Sequence, residues 1–177
     1  MRERLITLLK ERSVRWGRFT LASGRESDFY VDGKQTTLHA EGAWLIGNLI
    51  VERLHPEVGA VGGLTLGADP IAAAVAAVSF SRGRPVHGFI VRKDVKGHGT
   101  GRWVEGRGNV PDGMGVCIVE DTTTTGGSLL AAVDRAEAEG LRVLQCLTVV
   151  DREEGAAEAL AARGLELHAL VRRSDLA

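Results

Sequence analysis

Cysteine and lysine are both scarce in this 177-residue chain, and each scarcity excludes something. The two cysteines, Cys117 and Cys146, lie in apolar, strand-like runs. Thiols so placed read as small buried hydrophobes in a reducing cytoplasm, not as a disulfide or a metal pair. Net charge is −1, so no general attraction to nucleic acid or to a membrane surface is implied. No apolar run approaches the ~20 residues of a membrane span. The charged opening Met1-Arg2-Glu3-Arg4, mixed with apolar residues at helical spacing, does not read as a signal peptide. Neither a G-x-x-x-x-G-K-[ST] P-loop nor a G-x-G-x-x-G dinucleotide fingerprint is present. Lysine occurs only at Lys10, Lys34, Lys93 and Lys96, against 18 arginines. A chain that chooses arginine so consistently keeps lysine where a compact, mobile ammonium is needed. The length suits one domain, burying roughly 70% of its unfolded surface.

What is present centres on Val116-Cys117-Ile118-Val119-Glu120-Asp121-Thr122-Thr123-Thr124-Thr125-Gly126-Gly127-Ser128. The four apolar residues read as a buried strand, too short for a helix, with two carboxylates at its C-terminal end. The run Leu129-Leu130-Ala131-Ala132-Val133 starts a helix that ends near Gly140. A strand, a small polar turn and a helix N-terminus make an anion cradle. Backbone N–H groups converge there, the helix dipole favours negative charge, and glycine lets a phosphate come close. The acids cannot bind phosphate; they accept hydrogen bonds from sugar hydroxyls or stand near hydrated Mg²⁺. A sugar phosphate satisfies both halves, and an ordinary βα turn with an acidic strand end is the plain alternative.

Taken in order, Leu5, Ile6, Leu8 and Leu9 predict an amphipathic helix over residues 2–12. Phe19-Thr20-Leu21 and Phe29-Tyr30-Val31, joined by the polar turn Ala22-Ser23-Gly24-Arg25, read as a hairpin outside the alternating pattern that follows. A helix is predicted from His39 to Leu54, a strand over Ala60–Leu64, and an alanine-rich helix over Asp69–Val78 with Pro70 in its first turn. Val86–Val91 is the next strand. Seven glycines then fall between Gly97 and Gly115, interleaved with Lys96, His98, Arg102 and Arg107. A stretch so long without apolar periodicity reads as a lid or a disordered segment, whose cations would attract a polyanion. Leu141–Val150 is a strand ending at Asp151-Arg152, Glu154–Arg163 a helix, and Leu165–Val171 a last strand. Five strands alternating with helices predict an α/β fold: a parallel five-stranded central sheet flanked by helices, with a small N-terminal hood. Leu66, Arg92, Glu120 and Arg152 all fall at strand C-termini, the rim where open α/β sheets bind ligands.

The central motif resembles the phosphoribosyl-diphosphate (PRPP) signature of the type I phosphoribosyltransferases. Phe-Thr-Leu-x-Ser-Gly-x-x-Ser-x-x-Tyr-x-Asp over residues 19–32 and Arg92-Lys93-Asp94-Val95-Lys96-Gly97-His98-Gly99 resemble the orotate phosphoribosyltransferases in particular. The resemblance implies one domain over 1–177, with a hood segment over 1–38 and a flexible catalytic loop over 93–113. It implies transfer of the ribosyl phosphate of PRPP to orotate, giving orotidine 5′-monophosphate and pyrophosphate in pyrimidine biosynthesis. It assigns the ribose hydroxyls to Glu120 and Asp121, and the 5′-phosphate to Thr122, Thr123, Thr124, Thr125, Gly126, Gly127 and Ser128. Lys93, Lys96 and His98 are assigned to catalysis on the leaving pyrophosphate with Arg92 at the loop's base, Asp121 is a candidate base, and Thr124, Arg152, Phe29 and Tyr30 are assigned to orotate. The cofactor implied is Mg²⁺, held mainly by PRPP and water near Glu120 and Asp121. A cytoplasmic homodimer whose basic loop reaches the neighbouring site is implied, with no nucleic acid, no membrane and no attached decarboxylase domain. Two positions depart from the family, Ala22 and Leu66, where some members carry lysine.

Overall fold

The computed structural model describes residues 1–20, 26–94 and 102–177. Helix α1 (Arg2–Arg12) buries Leu5, Ile6, Leu8 and Leu9, and carries Lys10 and Arg12 in its last turn, where cations complement the helix dipole. Strands β1 (Val14–Thr20) and β2 (Glu26–Val31) pair antiparallel into a two-stranded sheet of their own. The expected hairpin is therefore present and separate from the main sheet. Two helices follow, the short α2 (Lys34–Thr37) and α3 (Ala40–Val51).

The rest of the chain alternates. It runs β3 (Val58–Leu64), α4 (Asp69–Ser81), β4 (His87–Val91), β5 (Val104–Glu105), β6 (Gly115–Thr123), α5 (Gly127–Ala138), β7 (Arg142–Asp151), α6 (Ala156–Ala161), β8 (Leu167–Arg172) and α7 (Arg173–Leu176). A 3₁₀ turn at Arg107–Asn109 lies between β5 and β6. Among the described residues, no helix is long and apolar enough to cross a membrane.

Among the described residues the sheet has six strands, in the order β5-β4-β3-β6-β7-β8, rather than the five expected. The additional strand is β5, which pairs antiparallel with β4 through Ile90 opposite Glu105 and Val91 opposite Val104. Two residues inside a glycine-rich stretch carry no periodicity to read. Val104 is buried in the same apolar cluster as Phe89, Val91 and Val110, and that burial fixes so short a strand. The other four pairings are parallel, as expected.

Each face of the sheet has its own core. Along β6, Cys117 and Val119 join one cluster with Leu5, Ile46, Val61 and Leu147. Val116 and Ile118 join the other, with Phe89, Leu129, Val133 and Leu160. That is the two-residue alternation of a strand covered on both sides. The direction of chain growth reverses between β3 and β6, since β4 and β5 lie to one side and β7 and β8 to the other. Doubly wound sheets bind ligands in the crevice outside the strand C-termini at such a reversal.

Candidate active site

At that crevice, β6 runs two residues past the acids, to Thr123, so Glu120 and Asp121 belong to the strand. Thr122 pairs with Val150 and Thr123 with Asp151. Ladder bonds therefore fix the backbone beneath both carboxylates. The alternation that sorts Ile118 from Val119 continues, placing Glu120 toward the α5 face and Asp121 toward the face carrying α3 and α4. Both acids are buried.

A cavity of about 270 Å³ opens over them, lined also by Lys34, Lys93, the Thr65–Gly67 turn and Ser128. Two glycines make this closeness possible. A Cβ on Gly67 would lie 2.3 Å from Glu120 Oε1 and 2.7 Å from Asp121 Oδ1, and one on Gly33 would lie 2.8 Å from Asp121 Oδ2. No side chain fits at either position without moving a carboxylate.

The two acids differ electrically. Burial comes first, and then the adjacent Asp121 carboxylate; together they push the Glu120 carboxyl up to about 8, against the opposing pull of Lys93 and Lys34. Glu120 is therefore mostly protonated at neutral pH. Its Oε2 and the Thr122 hydroxyl are buried and have no hydrogen-bond partner among the described residues. Asp121 accepts the Thr122 N–H at 2.8 Å and faces Lys34 Nζ at 3.5 Å. Burial opposes the Lys34 charge, but the Asp121 and Asp32 carboxylates outweigh it and raise its pKa.

The Thr122–Ser128 loop joins β6 to α5 as expected, with Gly126 in a left-handed turn at φ 83° just before the helix. Thr124 is half-buried, while Thr125, Gly127 and Ser128 are exposed. Opposite, Thr65 follows β3. Its hydroxyl donates to Asp69 at 2.7 Å, the Thr65–Leu66 peptide is cis, and Leu66 is exposed.

Of the expected loop residues, Lys93 reaches the cavity. Lys96 and His98 lie outside the described residues, as do Ala22, Ser23 and Gly24 of the hood. Arg92 is held by Glu105 on β5, its Nε donating at 2.6 Å and its Nη2 contacting the same oxygen. Arg107 is likewise engaged: it contacts Asp112 and the Val110 carbonyl, and donates to the Glu139 carbonyl at 2.9 Å.

Past β7, Arg152 is buried. Its N–H donates to the Thr123 carbonyl at 3.0 Å, which ties it to the end of β6. Its guanidinium pairs with Glu154 at 2.8 Å, donates to the Phe29 carbonyl at 3.2 Å and lies 5.7 Å from the Phe29 ring centre. Phe29 is fully buried, against Trp16 at 4.7 Å. Tyr30, the next residue on β2, faces the other way, is exposed, and contacts Phe19 at 5.6 Å. Of the two aromatics, the structure brings only Phe29 to Arg152. Lys34 is a charged cavity residue that lies outside the motifs; the scarcity of lysine is its signal in the sequence.

Comparison with known proteins agrees with this geometry. The model of the phosphoribosyl transferase domain matches residues 59–167. The orotate phosphoribosyltransferase of Sorangium cellulosum is 52% identical, over 98% of this chain and 92% of that protein. The chain belongs to the orotate phosphoribosyltransferase family. Other members resemble it as closely in structure. The orotate phosphoribosyltransferase of Mycobacterium tuberculosis, solved with Fe(III) dicitrate, has a TM-score of 0.86 at 45% identity and covers 99% of this chain and 98% of its own. The same enzyme solved with PRPP has a TM-score of 0.81 at 40% identity, with coverage of 99% and 98%.

Proposed function

We propose that the crevice between β3 and β6 is where this chain performs the reaction of its family: orotate and PRPP give orotidine 5′-monophosphate and pyrophosphate, a step of pyrimidine biosynthesis. The observation that carries this reading is the meeting, over one cavity, of the buried acid pair, the βα loop and two lysines. Those are the parts a sugar carrying phosphate at one end and pyrophosphate at the other requires.

A ring nitrogen of orotate, its proton given up to solvent or to the candidate base Asp121, bonds to the anomeric carbon as the carbon–oxygen bond to pyrophosphate breaks and its electron pair leaves with the pyrophosphate. The sugar becomes cation-like while negative charge grows on the leaving group. The chain therefore has to position, shield and stabilise charge, and needs no protein nucleophile. Glu120 and Asp121 take the ribose hydroxyls, and the orphaned Glu120 Oε2 is one atom such a hydroxyl satisfies. The loop from Thr122 to Ser128 takes the 5′-phosphate, with the N–H groups from Thr124 to Ser128 at the start of α5 facing it and Thr122 and Thr123, held in β6, forming its base. Lys93, with Lys96 and His98, meets the pyrophosphate, and Arg92 stands at the loop's base. Arg152 takes the orotate carboxylate, backed by Phe29, with Thr124 at the same rim.

Among the described residues no group of three or more His, Cys, Asp or Glu stands ready to hold a metal. Mg²⁺, held mainly by PRPP and water, would stand near Glu120 and Asp121, of which Asp121 is the one carrying charge, and would supply neutralisation of the pyrophosphate. The domain is single, the loop expected over 93–113 carries its acting residues Lys93, Lys96 and His98 ahead of β5, which is itself part of the sheet, and the enzyme works as a homodimer in the cytoplasm, with loop cations serving the neighbouring site.

The test is loss of orotate absorbance on adding protein, PRPP and Mg²⁺, run beside adenine, hypoxanthine and uracil. Orotate consumption that stops on chelation is expected. Consumption of a different base instead overturns the assignment of Arg152 and the hood.

A further inference from the structure

Among the described residues, the formal charges lining the cavity are Lys34, Lys93, Glu120 and Asp121. Leu66, fully part of the wall, brings none. With Glu120 holding its proton near neutrality, Asp121 and Lys34 cancel and Lys93 leaves the wall positive. Without Lys34 the same wall is neutral, and an incoming polyanion gains nothing from it.

Lys34 is also built into place rather than left on the surface. The Asp32 carboxylate accepts the Lys34 N–H at 3.2 Å and the Gln35 side-chain amide at 3.1 Å, starting α2 at this point. Gly33 lets the turn press against β6, so the first side chain of α2 enters the cavity. There Nζ stands 3.5 Å from Asp32 Oδ1 and 3.5 Å from Asp121 Oδ2, with the side chain 47% exposed. Such contacts are long for a strut and contribute little to stability when half-exposed. An ammonium has further donors, and its flexible stem lets it turn toward a ligand while keeping Asp121 within reach.

We propose that Lys34 is a binding residue for the pyrophosphate group of PRPP, setting with Lys93 the positive sign of this cavity. The inference rests on the reading of the cavity as the PRPP site. Lys34→Gln is expected to raise the KM for PRPP and weaken binding of pyrophosphate alone by about tenfold, about 1.4 kcal/mol, with the KM for orotate unchanged. Lys34→Arg is expected to restore most of the loss. Unchanged PRPP KM and pyrophosphate binding in Lys34→Gln overturns the inference. So does an equal loss in both variants accompanied by a lowered melting temperature, which marks a structural role. Wild-type protein inert toward orotate overturns the reaction assigned above, while pyrophosphate titration by calorimetry still decides Lys34.

Discussion

Replacing Glu120 by Gln isolates the cost of keeping a carboxyl inside the sheet. The native side chain holds its proton up to about pH 8, against an ordinary value of 4.5. Between those values the native state binds more protons than the unfolded chain, so stability falls as pH rises. At roughly 1.4 kcal/mol for each tenfold in proton affinity, the ceiling above pH 8 is about 5 kcal/mol. The pull of Lys93 and Lys34 is already part of that value, and further movement of the two side chains toward the bared charge lowers the loss below the ceiling, to about 2–5 kcal/mol. Glutamine has nearly the same shape and no charge, so Glu120→Gln should match wild type at about pH 5 and exceed it by that amount at about pH 9. Urea denaturation midpoints across this range read the difference directly. Parallel pH dependence in the two proteins would refute the account of Glu120 as a buried, protonated acid.

Gly67→Ala drives a methyl group into both acids; the KM for PRPP should rise at least about tenfold, since small misplacements are costly in a positioned site, and an unchanged KM would show that the turn does not set the carboxylates. Arg152→Ala should raise the KM for orotate while leaving that for PRPP in place, and loss of its buried pair with Glu154 should cost about 3 kcal/mol in urea denaturation. Equal effects on both substrates would count against its role. Arg107→Ala removes contacts to Val110, Asp112 and Glu139 and should destabilise by about 2–4 kcal/mol, read from denaturant midpoints. Lys96→Ala should cut turnover by roughly 10²-fold with circular dichroism unchanged; wild-type turnover would remove the loop's assigned role.

Much of this architecture is legible before any coordinates are known. The apolar run Val116–Val119 reads as a strand because it is buried on both faces, and the threonine and glycine loop has one mechanical purpose at a helix N-terminus. What escapes is short or lies in the third dimension. β5 is two residues long and stands antiparallel at the edge, so its signal is no more than Trp103-Val104 inside a glycine-rich, charged stretch. Phe29 and Tyr30 adjoin in sequence, and strand alternation turns them to opposite faces, Phe29 into the core and Tyr30 outward. The burial of Arg152 depends on Phe29, more than a hundred residues away in the chain. Lys34 sits outside every motif, and only the turn built by Asp32 and Gly33 carries it to the acids.

The separateness of the β1–β2 hairpin bears on how such a protein diverges. Among the described residues the hairpin bonds to no strand of the main sheet; it is seated by Val14, Phe29 and Val31, which are buried in one core cluster with Leu5 and Leu9, and by the Phe29 ring beneath Arg152. The sugar-phosphate half of the site begins just after it, at Asp32. A different hairpin that keeps apolar residues at positions 14, 29 and 31 would leave the acids, the phosphate loop and Lys34 where they are. Change of nucleobase then asks for two exchanges, of this hairpin and of Arg152 at the end of β7, with the sugar-phosphate half left alone.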